Sequence, residues 1–392
     1  MNYEEGDMYM STVAKVFALS LLALGMFVYP QEVLSSAGGG LALWWRFVLP
    51  ALLPFFILSE LLMAAGFVHF LGVLLESFMR PVFRLPGKAA FVVAMGYTSG
   101  FPMGAVLTAR LRQAGEITRV EGERLLAFTN NPSPGFMFGA VASGMLGKPT
   151  LGIIFASSIY LANLLVGFLF RFYRVTPTRR HSTRLPSFKL AWQEMKGAQT
   201  KDNRAFGQIL SDAIKQSITT VLMVAGFMAF FSVILGLLNI WHVTIFLATV
   251  IHIVINGIPI PMLQAFFNGL FEMTLGCQGT IQAVSGLNQQ VALLTLLMGW
   301  SGLSVFAQVA GFISTTDLRF SPFVVARILQ GIIALGLSQL FLLVADVPTS
   351  AFAFKIPSTS VLFWNTWQAS SYVFIGIMSL LFILALVRQP QR

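Results

Sequence analysis

Small polar side chains at two breaks in apolar sequence are the residues of this chain best suited to binding chemistry. The first break runs from Gly96 to Pro102 and reads GYTSGFP, and the second runs from Thr129 to Gly135 and reads TNNPSPG. Gly and Pro interrupt helices and leave backbone N–H and C=O groups unpaired. Inside a membrane such groups persist only where they are buried in protein or line a wet cavity. The two breaks therefore predict a site for a polar solute.

Interrupted helices supply the binding groups of this predicted site. Free amides at half-helix N-termini favour anions, and free carbonyls at half-helix C-termini favour cations. Side chains that could join them are Thr98, Ser99, Asn130, Asn131, Ser133, Ser301, Ser304 and Gln308. The alternative is that these residues only satisfy the broken backbone and permit close helix packing.

Ionisable residues inside a membrane are costly and should be paired or face a cavity. Four of them lie in or beside apolar segments: Glu60, Glu272, Arg124 and Arg327. The two arginines have two possible roles. They could be interfacial anchors, Arg124 with Glu121 or Glu123 and Arg327 with Asp317, or they could attract an anionic solute. No metal site is predicted.

Composition gives the class of the protein. Hydrophobic residues make up 56% of the 392 residues and charged residues 10%, against about 25% charged in an average soluble domain. We predict an all-α polytopic membrane protein with room for about ten segments of ~20 residues. The net charge of +10 is explained by cytoplasmic loops facing anionic lipid, and nucleic acid is not an expected partner. The single cysteine, Cys277, excludes a disulfide framework.

The distribution of Lys and Arg predicts the topology. Basic residues flank the first break on both sides, with Lys88 before it and Arg110 after it, so both ends should be cytoplasmic. The prediction is a re-entrant helical hairpin, and the alternative is one kinked span that is an exception to the charge rule. We divide one membrane domain, 1–392, into a tail and first helix (1–40), a first repeat (41–173), a basic cytoplasmic loop (174–205) and a second repeat (206–392).

The second half repeats features of the first. Met95-Gly96 is echoed by Met298-Gly299, and Arg124-Leu125-Leu126 by Arg327-Ile328-Leu329 at the same offset. This predicts a second re-entrant hairpin over 291–315 with its tip at 299–304. If 258–275 crosses the membrane, the uncharged loop 277–290 emerges on the far side, and the two hairpins form an inverted repeat of broken transmembrane helices.

The sequence gives little support to an enzymatic function. The order Gly-x-x-Ser-Gly at Gly96 to Gly100 differs from the Gly-x-Ser-x-Gly of a hydrolase elbow. The chain has no HExxH and no phosphate-binding Gly-Lys-Ser/Thr loop. We expect no cofactor and no catalytic residue.

Several motifs resemble a known family. Residues 49–56, the run 95–102, the turn Gly115-Glu116-Ile117 and the run 128–134 are similar to sporulation integral membrane proteins of the YlbJ/SpoVV type. That family belongs to a wider group with nucleoside-recognition gate domains, which are similar in layout to concentrative nucleoside transporters. The likeness extends from about residue 41 to 343.

The resemblance implies transport of dipicolinic acid across the mother-cell-derived outer forespore membrane during endospore formation. Dipicolinate is a small aromatic dianion, which suits helix N-termini, Arg124 or Arg327, and an aromatic neighbour such as Tyr97 or Trp300. The alternatives are transport of a nucleoside-type solute and a structural sporulation role without transport. Self-association into a homo-oligomer is left open.

Overall fold

A computed structural model describes residues 3–174, 187–255 and 257–344. Within these ranges every regular element is helical, as predicted, and there is no strand. The predicted basic loop is described from residue 187 onward, and the predicted second repeat up to residue 344. Residues 175–186 and 345–392 of these predicted units lie outside the described ranges.

The helices fall into two halves on either side of the basic loop. The first half contains α1 Tyr3–Val28, α2 Pro30–Leu43, the π-helical π1 Trp44–Val48, α3 Leu49–Ala64, α4 Phe67–Phe83, α5 Ala89–Ser99, α6 Met103–Gln113, α7 Arg119–Phe128, the π-helical π2 Gly135–Met145 and α8 Leu151–Phe170. The second contains α9 Phe188–Gln199, α10 Phe206–Ile240, α11 Val243–Val254, α12 Ile260–Phe271, α13 Met273–Ala283, α14 Leu287–Trp300, α15 Leu303–Ile313 and α16 Ser321–Val344.

Four segments of the described chain are long and apolar enough to cross a membrane: Leu151–Phe170, Phe206–Ile240, Leu287–Ile313 and Ser321–Val344. Two bent pairs raise the number to six if each counts as one span: Lys15–Val28 with Pro30–Val48 at 102°, and Leu52–Ala64 with Phe67–Phe83 at 82°. Ala89–Ser99 and Ile260–Phe271 are apolar but have fewer than 18 residues. A helix needs about 20 residues to span the hydrocarbon, so these short helices cannot cross alone.

Helices α5 and α6 fold back on each other around Gly100, whose φ is +86°. Gly96 and Gly104, four residues to either side, both approach the Thr129 carbonyl oxygen, and a Cβ atom would lie 2.1 Å from it at Gly96 and 2.2 Å at Gly104. A continuous helix would separate these residues by about 12 Å. The first break therefore forms a helical hairpin that closes on the second break. Its re-entry from one side of a membrane stays a prediction.

The predicted hairpin at 291–315 is wrong. Leu287–Ile313 forms one candidate span, interrupted where Ser301 and Gly302 both have positive φ, 85° and 83°. Two consecutive left-handed residues break the hydrogen-bond ladder here without turning the chain back. The similar pairs Met95-Gly96 and Met298-Gly299 therefore lie in two different kinds of element, the first in an arm of a hairpin and the second in an interrupted span.

A second hairpin lies earlier in the chain. Helices α12 and α13 meet at Glu272, and a Cβ atom at Gly276 would lie 2.1 Å from the Cα of Gly269, so the two arms touch. The predicted crossing over 258–275 and the predicted loop 277–290 are both wrong, because residues 273–283 form the return helix. Glu272 takes extended φ/ψ of −137° and 114° and caps α13, so the turn needs neither Gly nor Pro.

Ion pairs fix the base of the first hairpin. Arg110 pairs with Glu60 of α3, and Lys88 pairs with Glu116 at 2.5 Å. Arg112 forms a bidentate salt bridge with Asp317, from Nε to Oδ1 at 2.7 Å and from Nη2 to Oδ2 at 2.9 Å. The base of the hairpin and the connection between α15 and α16 therefore lie at the same end of the protein.

Candidate functional site

A cavity lies where the two hairpin tips meet the second break and the interrupted span Leu287–Ile313. Its polar lining comprises Ser99, Ser133, Glu272, Thr274, Ser304 and Gln308. Its aromatic lining comprises Phe47, Phe101 and Phe136, and α10 contributes Val224 and Met228. The volume is about 60 Å³, well below the roughly 300–1,000 Å³ of pockets for drug-sized ligands. A solute of that size therefore requires these elements to move apart.

Helix ends form much of the cavity wall. Ser99 is the last residue of α5, and Met273 and Thr274 open α13. Ser304 lies in the first turn of α15, and Ser133 precedes π2. The first four N–H groups of a helix have no partner within the helix and carry partial positive charge. Three helix N-termini therefore converge on one small volume.

Two buried side chains on the wall have unpaired polar atoms. The Ser99 hydroxyl and the Gln308 Oε1 have no hydrogen-bond partner, although the residues are 0% and 2% exposed. Gln308 makes only a long contact from Nε2 to the Ser304 hydroxyl, at 3.5 Å. Buried polar groups are normally paired, and an unpaired one costs about 1–3 kcal/mol. A bound solute or water would satisfy these atoms.

Among the residues that the structure describes, Glu272 is the one charged residue that lines the cavity. It is 4% exposed, and its Oε2 accepts a hydrogen bond from the Leu275 backbone N–H at 2.6 Å. Within the described ranges no Lys, Arg or His pairs with it. The helices that pack against it, α12, α14 and π2, contain no charged residue. The cavity thus combines helix N-termini with one unpaired carboxyl group.

The predicted solute-contacting residues divide into two groups. Ser99, Ser133, Ser304 and Gln308 line the cavity. Tyr97, Thr98, Asn130, Asn131, Trp300 and Ser301 are absent from its lining.

The asparagines of the second break support the hairpin. Asn130 Oδ1 accepts a hydrogen bond from the Ala105 N–H at 3.0 Å and so caps the start of α6. Asn131 Oδ1 accepts one from Gln330 Nε2 at 3.0 Å, which ties the break to α16. Both residues are fully buried. The Asn130 hydrogen bond matches the alternative in which polar residues satisfy a broken backbone, whereas Asn131 bonds to a side chain and its Nδ2 has no partner.

The other predicted residues outside the wall also make local contacts. The Thr98 hydroxyl donates to the Ala94 carbonyl at 2.9 Å, within its own helix. Trp300 Nε1 donates to the Leu270 carbonyl at 3.1 Å and so satisfies the end of α12. The Tyr97 ring lies 5.0 Å from that of Tyr160, and its hydroxyl has no partner. Ser301 is buried at the break, and its hydroxyl is also unpaired.

The predicted carboxylate partners of the two arginines are wrong. Arg327 donates to the carbonyls of Ala127 and Asn130 and to Asn163 Oδ1. Arg124 donates to the carbonyls of Tyr173, Arg174 and Arg84. Each arginine therefore satisfies carbonyls at helix ends, where cations are favoured. Neither guanidinium lines the cavity, and attraction of an anionic solute by them stays a prediction.

The predicted acidic partners bind other arginines. Asp317 pairs with Arg112, Glu121 with Arg80, and Glu123 with Arg119 and Arg319. Sequence spacing favoured neighbours along a helix, whereas three of these four pairs join different elements.

Sequence reasoning missed several wall residues. Thr274 and Met273 lie there because Glu272 turns the chain, and the only signal was a carboxylate followed by Thr in apolar sequence. Phe101 belonged to the first motif but is apolar. Phe47, Val224 and Met228 come from helices without any break or polar residue at those positions. The described ranges contain no group of three His, Cys, Asp or Glu residues that could hold a metal ion.

Comparison with known proteins adds the family. The profile of the gate family, described as nucleoside recognition, matches residues 45–173. The sporulation integral membrane protein YlbJ of Bacillus subtilis (strain 168) is 45% identical over 312 residues, which cover 78% of this chain and 76% of that protein. The chain belongs to the YlbJ family. The resemblance inferred from the motifs is thereby confirmed.

A second relative of this YlbJ-family protein is more distant. It is an uncharacterised protein of Alkalihalophilus pseudofirmus, 25% identical over 144 residues, which cover 36% of this chain and 30% of that protein. No solved structure matches the chain. The gate-domain match contains the first hairpin and the second break, which together supply Ser99, Phe101, Ser133 and Phe136 to the cavity. This is an integral membrane protein of a sporulation family with a nucleoside-recognition gate domain.

Proposed function

We propose that this protein is a transporter that carries a small organic anion, dipicolinic acid, across a membrane during endospore formation. The main observation in its support is the cavity in which two hairpin tips meet the second break and the interrupted span Leu287–Ile313. Interrupted helices at membrane depth are a recurring binding device in secondary transporters. Membership of the YlbJ sporulation family supports dipicolinate as the solute and the outer forespore membrane as the location.

The contacts at the protein ends support an inverted arrangement of the two hairpins. The C-terminal end of Leu287–Ile313 adjoins the base of α5–α6, because Arg112 pairs with Asp317 and Gln113 donates to Thr315 at 2.7 Å. The N-terminal end of the same span follows directly from the base of α12–α13. The two bases thus lie at opposite ends of a membrane-length segment. We propose that the hairpins enter the membrane from opposite sides and that their movement gives alternating access.

The charge distribution of the cavity supports an anionic solute when Glu272 is protonated. The N-termini of α13, α15 and π2 favour negative charge, while Glu272 opposes it. Protonation of Glu272 would remove the opposition. The aromatic side chains of Phe47, Phe101 and Phe136 offer stacking surfaces for a planar ring.

A nucleoside is the second candidate solute, because the gate-family profile is described as nucleoside recognition. An ionised Glu272 and the unpaired Gln308 Oε1 can accept hydrogen bonds from sugar hydroxyls. A structural sporulation role without transport is a third proposal. It would leave the unpaired atoms of Ser99 and Gln308 without a function.

Solute flux into proteoliposomes separates these proposals. Purified protein is reconstituted, and uptake of radiolabelled dipicolinate and of labelled uridine is measured side by side. Dipicolinate uptake well above that of empty liposomes is expected. Uptake of uridine alone would replace dipicolinate with the nucleoside, and uptake of neither solute under any imposed gradient would contradict transport.

A matched serine pair tests the site itself. Ser99→Ala removes a buried, unpaired hydroxyl from the cavity wall, whereas Ser158→Ala removes a buried, unpaired hydroxyl of α8 away from it. We expect uptake to fall several-fold in the first variant and to stay unchanged in the second. Equal effects of the two substitutions would argue against this cavity as the solute site.

A further inference from the structure

A second cavity opens near the start of α10, beyond the basic loop. Its volume is about 520 Å³. The lining consists of Arg204, Asp212, Lys215, Gln216, Thr219, Thr220, Met223 and, from α15, Phe312. We call it the outer cavity. It is large enough for a drug-sized ligand, unlike the inner cavity at the hairpin tips.

The outer and inner cavities share two helices. On α10, Gln216 and Thr220 line the outer cavity, while Val224 and Met228 line the inner one. Residues spaced by three or four lie on one face of a helix. These four positions, each four residues after the one before, therefore form one stripe, which covers about 18 Å from Gln216 to Met228.

Helix α15 continues the same path from the other side. Ser304 and Gln308 line the inner cavity, and Phe312, one turn further, lines the outer one. A Cβ atom at Gly311 would lie 3.4 Å from the Phe227 ring, so α10 and α15 touch between the two cavities. The stripe changes from polar residues at its outer end to Met and Val at its inner end.

The lining of the outer cavity carries the carboxylate of Asp212 as well as two cations, so attraction of an anion depends on Lys215. Arg204 is paired with Asp202 and Asp212, at 2.7 and 2.9 Å. Lys215 is exposed, and no carboxylate of the described ranges pairs with it. An unpaired ammonium at the mouth of a cleft attracts negatively charged solutes.

We propose that the outer cavity is a vestibule that collects the organic anion on the side of the basic loop and passes it to the inner cavity between α10 and α15. The inference rests on the proposed function for the identity of the solute. It assigns Lys215 to capture of the anion and the contact of Phe227 with Gly311 to the barrier between the cavities.

Thiol labelling tests the vestibule without relying on transport. Cys277, the only native cysteine, is buried, so the unmodified protein is the blank. Met223→Cys places a thiol in the vestibule, and Leu222→Cys places one on the adjacent face of α10, where the side chain is 56% exposed but outside both cavities. The variants are reconstituted in vesicles of neutral lipid. A membrane-impermeant methanethiosulfonate reagent that carries a sulfonate group is then added from one side of the membrane at a time.

We expect the Met223→Cys variant to react at least tenfold faster than Leu222→Cys from the side of the basic loop, and millimolar dipicolinate to slow that reaction. Equal rates, or reaction from the opposite side only, would overturn the vestibule. If added anionic lipid slows the labelling reaction and dipicolinate does not, the vestibule is also overturned, because the outer cavity would then bind a lipid headgroup.

Flux measurements keep the two proposals apart. Modification of the Met223→Cys variant should reduce dipicolinate uptake at least tenfold, and Lys215→Gln should reduce it several-fold at low ionic strength but little at high salt. Uptake that continues unchanged after complete modification would overturn the vestibule. If the unmodified protein takes up no dipicolinate while the labelling pattern holds, the vestibule stands and the solute assignment fails.

Discussion

The guanidinium of Arg327 donates a hydrogen bond to the carbonyl oxygen of Asn130, at the place where the second break leaves that carbonyl outside any helix. A second nitrogen donates to Ala127 at 2.7 Å and to Asn163 at 3.0 Å. Arg327 is 0% exposed, and no carboxylate of the described ranges pairs with it. One buried cation from α16 thus satisfies the broken end of α7 and joins the two halves of the chain.

Replacement of Arg327 should destabilise the protein strongly. Arg327→Ala leaves three buried acceptors without donors, and hydrogen bonds to charged groups are worth about 1.5–3 kcal/mol each. Arg327→Lys should recover only part of the loss, because an ammonium cannot reproduce the planar fork. Thermal unfolding in detergent measures the effect, with the exposed Lys201→Ala as control. An unchanged unfolding midpoint for Arg327→Ala would contradict this role.

Alanine at Gly96 or Gly104 should disrupt the first hairpin. Each new Cβ atom would lie within 2.2 Å of the Thr129 carbonyl oxygen, and backbone movement to relieve such overpacking costs about 1–3 kcal/mol. Gly226→Ala on α10 is the matched control, since nothing lies within 4 Å of its Cβ position. We expect the two hairpin variants to unfold at lower temperature and the control to be neutral or stabilised by up to about 1 kcal/mol. A hairpin variant as stable as the control would refute the close approach.

The pair between Arg112 and Asp317 should respond to charge reversal. Arg112→Glu and Asp317→Arg each place like charges together, so each should weaken the contact between the first hairpin and the α15–α16 connection. The double variant restores opposite charges and should recover the unfolding midpoint. If the double variant is no more stable than the single ones, the pair contributes nothing.

The same pair predicts a pH dependence. The hydrogen-bonded Arg112 guanidinium lowers the pKa of the Asp317 carboxyl below its usual value. A depressed pKa means that the stabilising contribution is present at neutral pH and is lost as the pH falls through the lowered pKa. The difference in unfolding midpoint between the parent and Asp317→Asn should therefore shrink as the pH falls below about 4. A difference that stays constant down to pH 2 would exclude this linkage.

Glu272→Gln should distinguish an anion from a nucleoside. The amide keeps the shape and can still accept the Leu275 N–H, but it removes the only charge on the cavity wall. Dipicolinate should then bind at least tenfold more tightly at neutral pH, because two like charges at short range repel by a few kcal/mol at an effective dielectric of about 20, and about 1.4 kcal/mol is a factor of ten. A nucleoside that donates hydroxyl hydrogen bonds to Glu272 should instead bind more weakly.

Equilibrium binding to the purified variants provides the measurement for Glu272. Glu60→Gln serves as control, because Glu60 pairs with Arg110 and does not line the cavity. Dipicolinate affinity that falls in Glu272→Gln would contradict repulsion by an ionised carboxylate.

Local chemistry made several features readable from the chain. Gly100 and the closely spaced prolines of 132–134 disfavour a continuous helix, so both breaks of the first half are predictable from the sequence, as are Ser99 and Ser133 on the cavity wall. Composition determined the membrane class, because apolar blocks of this length cannot be covered by a soluble core. The motifs also carried enough information to indicate the sporulation family.

Other features depended on contacts between distant residues. The turn at Glu272 has no helix breaker, so the second hairpin was assigned to Ser301 and Gly302, where the chain continues in one span. The ion pairs of Asp317 and the hydrogen bonds of Arg327 join residues more than 100 positions apart. The spacing of residues in the sequence predicts neighbours along one helix, and it does not predict contacts between distant helices.

The sequence by itself determined the two breaks of the first half, because Gly100 and the prolines of 132–134 act on the backbone at their own positions. Only the tertiary structure decided which breaks turn back and which side chains face the cavity. The physical reason is that direction after a break depends on the packing of whole helices, as with Gly96 and Gly104 on the Thr129 carbonyl. A buried polar side chain likewise faces either a solute or an orphaned carbonyl according to what lies across from it, as Gln308 and Arg327 demonstrate.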